Sequence, residues 1–453
     1  MNPVLMIFLL ISLMAFGIIA IRRWPDHAFW IIIILLFDPS GHLTVYFGKD
    51  ALGGFHYQDF LFVLAFVPLL SSKVEVKHLL HFRPFLIVLG VQLLFFLYHV
   101  FVFGYWQPGK GWDYLVRYVL VRERMSVFGF LLIIPSFVMA RRNLSILVDV
   151  LVWSSLVVFI LFFLTVFTDF EFVPVWQAER YRGTGIMRYF MYSAGLTDML
   201  VPLAFFVLSR KIKYRYRQLL YTATVLFVIA VMLSLTKSNY LNLAGLVVGS
   251  LFLYYRYYRA SLTGLLGMLL GPGLALLVLM YAMFPEYPEL VWRQVEDLWL
   301  FISGDAYTSG VVEGRLLNQW PAHLALIEQH PWFGTGADFA GHFSLRFDPS
   351  DYEVTDLPIT GHLAMYGFVG LAIYSLLYVQ LWRYLVQGYK TMKRSVLHVN
   401  EVDMAFFFVV FAWMIKTFVF KPNYLFNELT TGTLLINLYA GILIALLYRN
   451  IKT

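Results

Sequence analysis

The 453-residue chain contains no cysteine, so it forms no disulfide and holds no metal or iron–sulfur cluster through thiolates. Charge is scarce too. Asp, Glu, Lys and Arg make up 13% of the residues, about half the ~25% usual in a soluble domain. That composition excludes an ordinary soluble enzyme, a disordered polypeptide and a secreted disulfide scaffold. The motifs of cofactor and hydrolase chemistry are missing. No H-E-x-x-H, G-x-S-x-G, P-loop or G-x-G-x-x-G occurs, and the Asp348-Pro349-Ser350-Asp351 stretch is a poor metal site without further ligands. The net charge of +7 is spread over short segments, which argues against a nucleic-acid partner. No low-complexity tract is visible. Nor is there a repeat of fixed period, which weakens a transporter built from inverted repeats.

What the chain has is apolar length. Hydrophobic residues make up 60% of it, with 43 Phe, 29 Tyr and 12 Trp. They fall into about thirteen segments, centred near residues 12, 32, 65, 94, 131, 157, 201, 227, 247, 273, 372, 411 and 439. Many run to roughly 17–25 residues, enough to cross a hydrocarbon core of about 30 Å. In lipid the backbone must satisfy itself within each segment, so these are expected to be helices. The fold class expected is an all-α polytopic membrane protein with 12 or 13 transmembrane helices, the lower count applying if the short run Ala28–Phe37 does not span. The first run lacks a basic n-region and an A-x-A site, so it reads as a retained helix.

Basic residues orient the bundle. The alternate loops 22–27, 72–83, 140–144, 209–218, 254–262 and 383–402, with the C-terminal tail, carry 20 of the 34 Lys and Arg. By the positive-inside rule these loops are cytoplasmic. The chain then divides into three parts: residues 1–284 with ten spans, an extracytoplasmic loop over 285–357, and 358–453 with three spans and a short tail. The outer loop is too long for a simple connection, and it holds 12 Asp or Glu against three Arg. Within it, Glu289–Ile302 reads as an amphipathic interfacial helix. Arg315–Gln329 reads as a second helix, ended by His330-Pro331.

Four polar clusters lie at the outer ends of spans. Arg180, Arg182 and Arg188 surround Gly183 and Gly185, a pattern that suits phosphate recognition or snorkelling to lipid headgroups. Thr236-Lys237-Ser238-Asn239 is either an anion-binding turn or merely a polar one. In the loop, Glu313-Gly314-Arg315, Trp320 and His330-Pro331-Trp332-Phe333-Gly334-Thr335-Gly336 follow in order. There Arg315 can meet an anion or pair with a nearby carboxylate. Trp320, His330 and Trp332 are candidates for sugar contacts, and for packing the loop onto the membrane. Where the loop re-enters, Asp356 and His362 are six residues apart. Either can take a proton from a sugar hydroxyl, or His362 can be a packing residue.

In this order the clusters resemble the O-antigen polymerase and O-antigen ligase superfamily of bacterial surface-polysaccharide synthesis. Gly314-Arg315, Trp320 and His330–Gly336 resemble its "G-R-x-x-x-x-W … h-P-x-x-G-x-G" stretch. Arg182-Gly183-Thr184 resembles its Arg-Gly-Thr element, and Gly367-Phe368-Val369-Gly370-Leu371 its "G-l-x-G-l" run. The resemblance covers roughly residues 175–380. Two positions depart from it: Lys237-Ser238-Asn239 stands where the family often has Arg, and Asp356 stands where it has a His-Asn pair.

The resemblance implies a GT-C-type glycosyltransferase that needs no metal or other cofactor. Its donor would be an undecaprenyl-diphosphate-linked glycan at the outer face of the bacterial cytoplasmic membrane. Partners would be that lipid, the bilayer and a chain-length regulator. Arg180, Arg182, Arg188, Lys237 and Arg315 would neutralise the diphosphate, with Arg315 also in the catalytic set, and His362 or Asp356 would be the base. Polymerisation of repeat units is the favoured outcome. Ligase-type transfer, a lipid-linked sugar flippase and a peptidoglycan polymerase are the alternatives.

Overall fold

The computed structural model describes residues 3–38, 57–71, 82–98, 129–168, 170–179, 187–191, 196–210, 214–234, 236–258, 320–334, 358–394, 401–420 and 430–452, with 278, 281–282, 289, 292–293 and 296. The described residues are helical apart from one hairpin and short connections. Helices occupy α1 Pro3–Arg23, α2 Pro25–Phe37, α3 Tyr57–Ser71, α4 Arg83–Leu97, α5 Ile133–Arg142, α6 Ser145–Phe167, α7 Leu200–Arg210, α8 Arg217–Leu233, α9 Lys237–Tyr258, α10 Trp320–Gln329, α11 Pro358–Arg394, α12 Glu401–Ile415 and α13 Thr430–Lys452. Every expected apolar segment except that near 273 carries a helix, and that one lies outside the described residues. The short run around Ala28–Phe37 is a helix of 13 residues, started by Pro25 at its first turn and largely buried.

Among the described residues, three stretches are long and apolar enough to cross a membrane: Ser145–Phe167, Tyr366–Thr391 and Glu401–Val419. The core sits around α12 and α13. From Met404 to Met414 and from Leu434 to Tyr448 nearly every side chain is buried. Those helices have no polar face because neighbours surround them. α5 packs along α13, and α7 and α9 pack along α12. The outer helices bury one side only. Trp153, Val157 and Ile160 of α6 and Leu376 and Val379 of α11 remain exposed, an apolar surface that a bilayer solvates and water does not.

Polar groups fasten the helix ends. Asn143 Oδ1 accepts from the Ser145 N–H at 3.0 Å where α6 begins. Asp403 at the start of α12 pairs with Arg449 at the end of α13, and Arg449 also donates to the Ala140 carbonyl. Tyr214 donates to Asp149 at 2.6 Å, and burial together with that carboxylate holds its hydroxyl well above the usual phenol range. Asp198, in the short 3-10 turn before α7, forms a buried ion pair with Lys416, where α12 passes into the π-helical stretch Lys416–Phe420.

The hairpin is the departure from an all-helical expectation. β1 (Val175–Glu179) pairs antiparallel with β2 (Met187–Met191), Val175 opposite Met191 and Gln177 opposite Tyr189. Val175 and Tyr189 pack on the helical core, and β2 rests on α8. Val175, Trp176, Tyr189 and Phe190 are strand-favouring residue types, which suits these segments to pairing. Thr165 Oγ1 leads the chain into it, accepting from the Phe172 and Val173 N–H groups at 2.9 and 3.1 Å.

Candidate functional site

The described parts of the third and fourth sequence clusters come together. α10 starts at Trp320-Pro321, with proline in the first turn where no donor is lost. It ends where the His330 N–H bonds to the Leu326 carbonyl, and Pro331 cannot extend it. Gly334, at φ 69°, closes the turn by donating to the His330 carbonyl at 3.0 Å.

This turn docks on a break in α11. Gly367 has φ 64° and ψ −170°, a conformation essentially reserved for glycine, and it divides α11 into an arm, Pro358–Tyr366, and a long following helix. At the break the Phe368 N–H donates to the Pro331 carbonyl at 2.9 Å, and the Val369 N–H to the Trp332 carbonyl at 3.1 Å. Two helix-start donors that would otherwise lack helical partners are thus satisfied by the turn. The contact is so close that a Cβ on Gly367 would lie 2.3 Å from the Trp332 carbonyl.

Side chains extend the junction. The Trp332 ring meets Phe368 edge-on with centroids 6.3 Å apart, and Phe333 lies 6.3 Å from Tyr98 of the segment ending α4. Trp332 is nonetheless 65% exposed, and Trp320 and His330 are exposed as well. Trp332 and Phe368, both exposed and in contact, leave an aromatic face of the kind that stacks on sugars or sits at a lipid surface.

His362 is 0% exposed. Its ring lies between Tyr366, 4.8 Å away, and Tyr374, met edge-on at 4.7 Å across the break. It thus helps hold arm and helix together. The arm's other tie is His323 of α10, whose Nδ1 shares a 2.8 Å hydrogen bond with Thr360 Oγ1. Burial pushes the His323 imidazole down to about 4, so it stays neutral at ordinary pH.

That shift carries a pH dependence. The usual imidazole value of 6.5 applies when α10 and α11 separate, and about 4 when they are docked. The open form therefore takes up a proton first as pH falls. Docking stability should be full above about pH 6.5 and should decline towards pH 4, by about 3 kcal/mol in all. Thermal unfolding in detergent across this window should show the decline, and His323→Asn should flatten it. An unchanged slope in that variant would remove His323 as the cause.

The other clusters are described in part. Arg188 lies in β2 opposite Ala178, while Arg180 and Arg182, in the connection between the strands, lie outside the described residues. Lys237 is the first residue of α9. Asn239 Nδ2 donates to Ser234 Oγ at 3.0 Å and Thr236 Oγ1 to the Ser234 carbonyl at 2.8 Å, so that Asn239 at least partly builds the turn. The hairpin and this turn share a support, because β2 rests on α8, which runs into Ser234. Arg315 and Asp356 lie outside the described residues. Glu289, Trp292, Arg293 and Glu296 are helical, with Arg293 donating to Glu289 at 2.7 Å. No group of three or more His, Asp or Glu placed to hold a metal occurs among the described residues.

Sequence reasoning passed over four residues that the structure brings forward. His323 and Thr360 form the buried tie, and Asp198 and Lys416 the buried ion pair. Lys416 did carry a signal, standing alone in the run Phe406–Phe420, where an ionisable residue is expensive. Neither a protein-family model nor a curated protein matches the chain.

Proposed function

We propose that the chain is an integral-membrane glycosyltransferase of the O-antigen polymerase type. In this reading it acts at the outer face of the bacterial cytoplasmic membrane and joins glycan units carried on undecaprenyl diphosphate. The observation that carries the reading is the docking of the His330–Gly334 turn on the Gly367 break. It makes one unit of two motif blocks that the sequence resemblance treats separately. The chain there takes a conformation open only to glycine, and such special backbone positions concentrate at functional sites.

The chemistry is a displacement at the anomeric carbon of the donor. The acceptor hydroxyl oxygen forms the new glycosidic bond and gives its proton to a base. The bond to the diphosphate oxygen breaks, and the polyprenyl diphosphate leaves with the electron pair. Arg180, Arg182, Arg188, Lys237 and Arg315 neutralise the charge that grows on that oxygen. Exposed Trp320, Trp332 and His330 supply the sugar-facing surface. Asp356, two residues before the arm, is the base in this reading. His362, enclosed by Tyr366 and Tyr374, sets the arm's position.

The deciding experiment is incubation of the purified protein with lipid-linked glycan. A ladder of products supports polymerisation, and a single transfer to a different acceptor points to a ligase. No product with any acceptor defeats the reading and leaves the flippase.

Two further results are expected. The 12–13 spans assumed here place a reporter fused after Leu345 outside and one fused after Lys213 inside, and the reverse at either site overturns the site's placement. Asp356→Asn should leave donor binding nearly intact while slowing transfer about 100- to 10,000-fold, as loss of a positioned base does. His362→Phe keeps a ring between the tyrosines and should cost far less. If His362→Phe is the slower variant, the two roles are reversed.

A further inference from the structure

The arm of α11 is held at both ends. Just past its last residue, beyond Gly367, the Pro331 and Trp332 carbonyls cap Phe368 and Val369, the first residues of the following helix. At its first turn Thr360 meets His323 of α10. Both partners are buried, with His323 6% and Thr360 8% exposed, although Leu324 and Glu328 on the same helix face outward. A single tie would let the arm pivot about it, and two fix its direction. We propose that His323 is a positioning residue: through Thr360 it fixes the arm, which carries His362, against the His330–Gly334 turn.

Two features support this. The ring is neutral at working pH, so the tie is a hydrogen bond between uncharged groups that salt does not screen. Thr360 lies two residues before His362, whose ring packs between Tyr366 and Tyr374, so the tie acts on the arm that carries this candidate site residue. Misplacement of about 1 Å among site groups can cost about 100-fold in rate. The catalytic half of the proposal rests on the glycosyl-transfer reading, whereas the mechanical half does not.

The test uses the full chain, whose lack of cysteine makes a single introduced thiol specific. Ala364, on the arm and 0% exposed, is replaced as Ala364→Cys, and its rate of maleimide labelling reports how often the arm opens. His323→Ala and Thr360→Val should each speed labelling about 10-fold or more. His323→Asn and Thr360→Ser, which can restore a hydrogen bond, should label near the parent rate. In transfer assays without the thiol, the first pair should lose kcat about 10- to 100-fold with donor KM within about twofold, and the second pair should recover most of it. Unchanged labelling in both His323→Ala and Thr360→Val overturns the tie. Faster labelling with unchanged kcat overturns the positioning role. A parent protein that transfers no sugar defeats the proposed function instead, and labelling alone then decides whether His323 holds the arm.

Discussion

Gly367→Ala should release the His330–Gly334 turn from α11 while leaving the helical bundle folded. The new methyl carbon would lie 2.3 Å from the Trp332 carbonyl and 2.6 Å from the Phe333 nitrogen, both backbone, so no side chain can swing aside. The φ of 64° with ψ of −170° adds about 1–3 kcal/mol for any residue with a Cβ. Losing the two capping hydrogen bonds adds roughly 0.5–1.5 kcal/mol each. Together these should raise hydrogen exchange at the Phe368 and Val369 amides by about 100-fold or more, at 1.4 kcal/mol per tenfold. In the glycosyl-transfer reading, turnover should fall by a similar factor, because the aromatic face and the arm lose their common frame. Gly90→Ala is the control. It lies in α4 with nothing within 4 Å of an added Cβ, and it should be neutral or stabilising by up to about 1 kcal/mol. If the two variants exchange alike at Phe368 and Val369, the break does not hold the turn.

The helices were legible because their signal is continuous. An apolar run bounded by basic residues, such as Ser145–Phe167 after Arg141-Arg142, has one reading in a chain so poor in charge. The hairpin was not, since its strands are five residues each and sit in what looked like a connection between spans. Paired strands depend on a partner, and sequence alone does not show which segment will come alongside. At the site, the stop at His330-Pro331 was readable because proline cannot continue a helix. The helix break was not, since Gly367 stood out only as the first residue of the "G-l-x-G-l" run and nothing in its neighbours calls for a bend. Only the carbonyls of Pro331 and Trp332, more than thirty residues earlier, require its conformation. His362 shows the limit in the other direction. Its place near the loop's return suggested proton transfer, but whether an imidazole meets substrate or two tyrosine rings is decided by packing.

Lys416→Met should cost about 3–5 kcal/mol of stability, which makes it the largest single-residue effect expected away from Gly367. The Lys416 side chain is 2% and the Asp198 side chain 9% exposed, so removing the cation leaves a carboxylate where little water can reach it. Asp198 is also close enough for its charge to act on Tyr439, a buried α13 residue whose ring lies tilted 4.8 Å from that of Trp413. The stranded charge would therefore disturb the contact of α7, α12 and α13 together. Asp198→Val with Lys416→Met removes both charges and should recover most of the loss, because an apolar pair of similar volume carries no desolvation penalty. Measured as denaturation midpoints in detergent, the two singles and the double form a cycle, whose coupling should exceed about 2 kcal/mol. A single Lys416→Met costing under about 1 kcal/mol would mean that the pair is solvated and contributes little, as exposed pairs do. Function separates two uses of the pair. Asp198 follows Arg188 by ten residues, and its partner begins the π-helical stretch that continues α12. If the pair sets the register between the hairpin side of the bundle and α12, the double variant should regain stability yet keep a raised donor KM. If it regains both, the pair is a stability element alone.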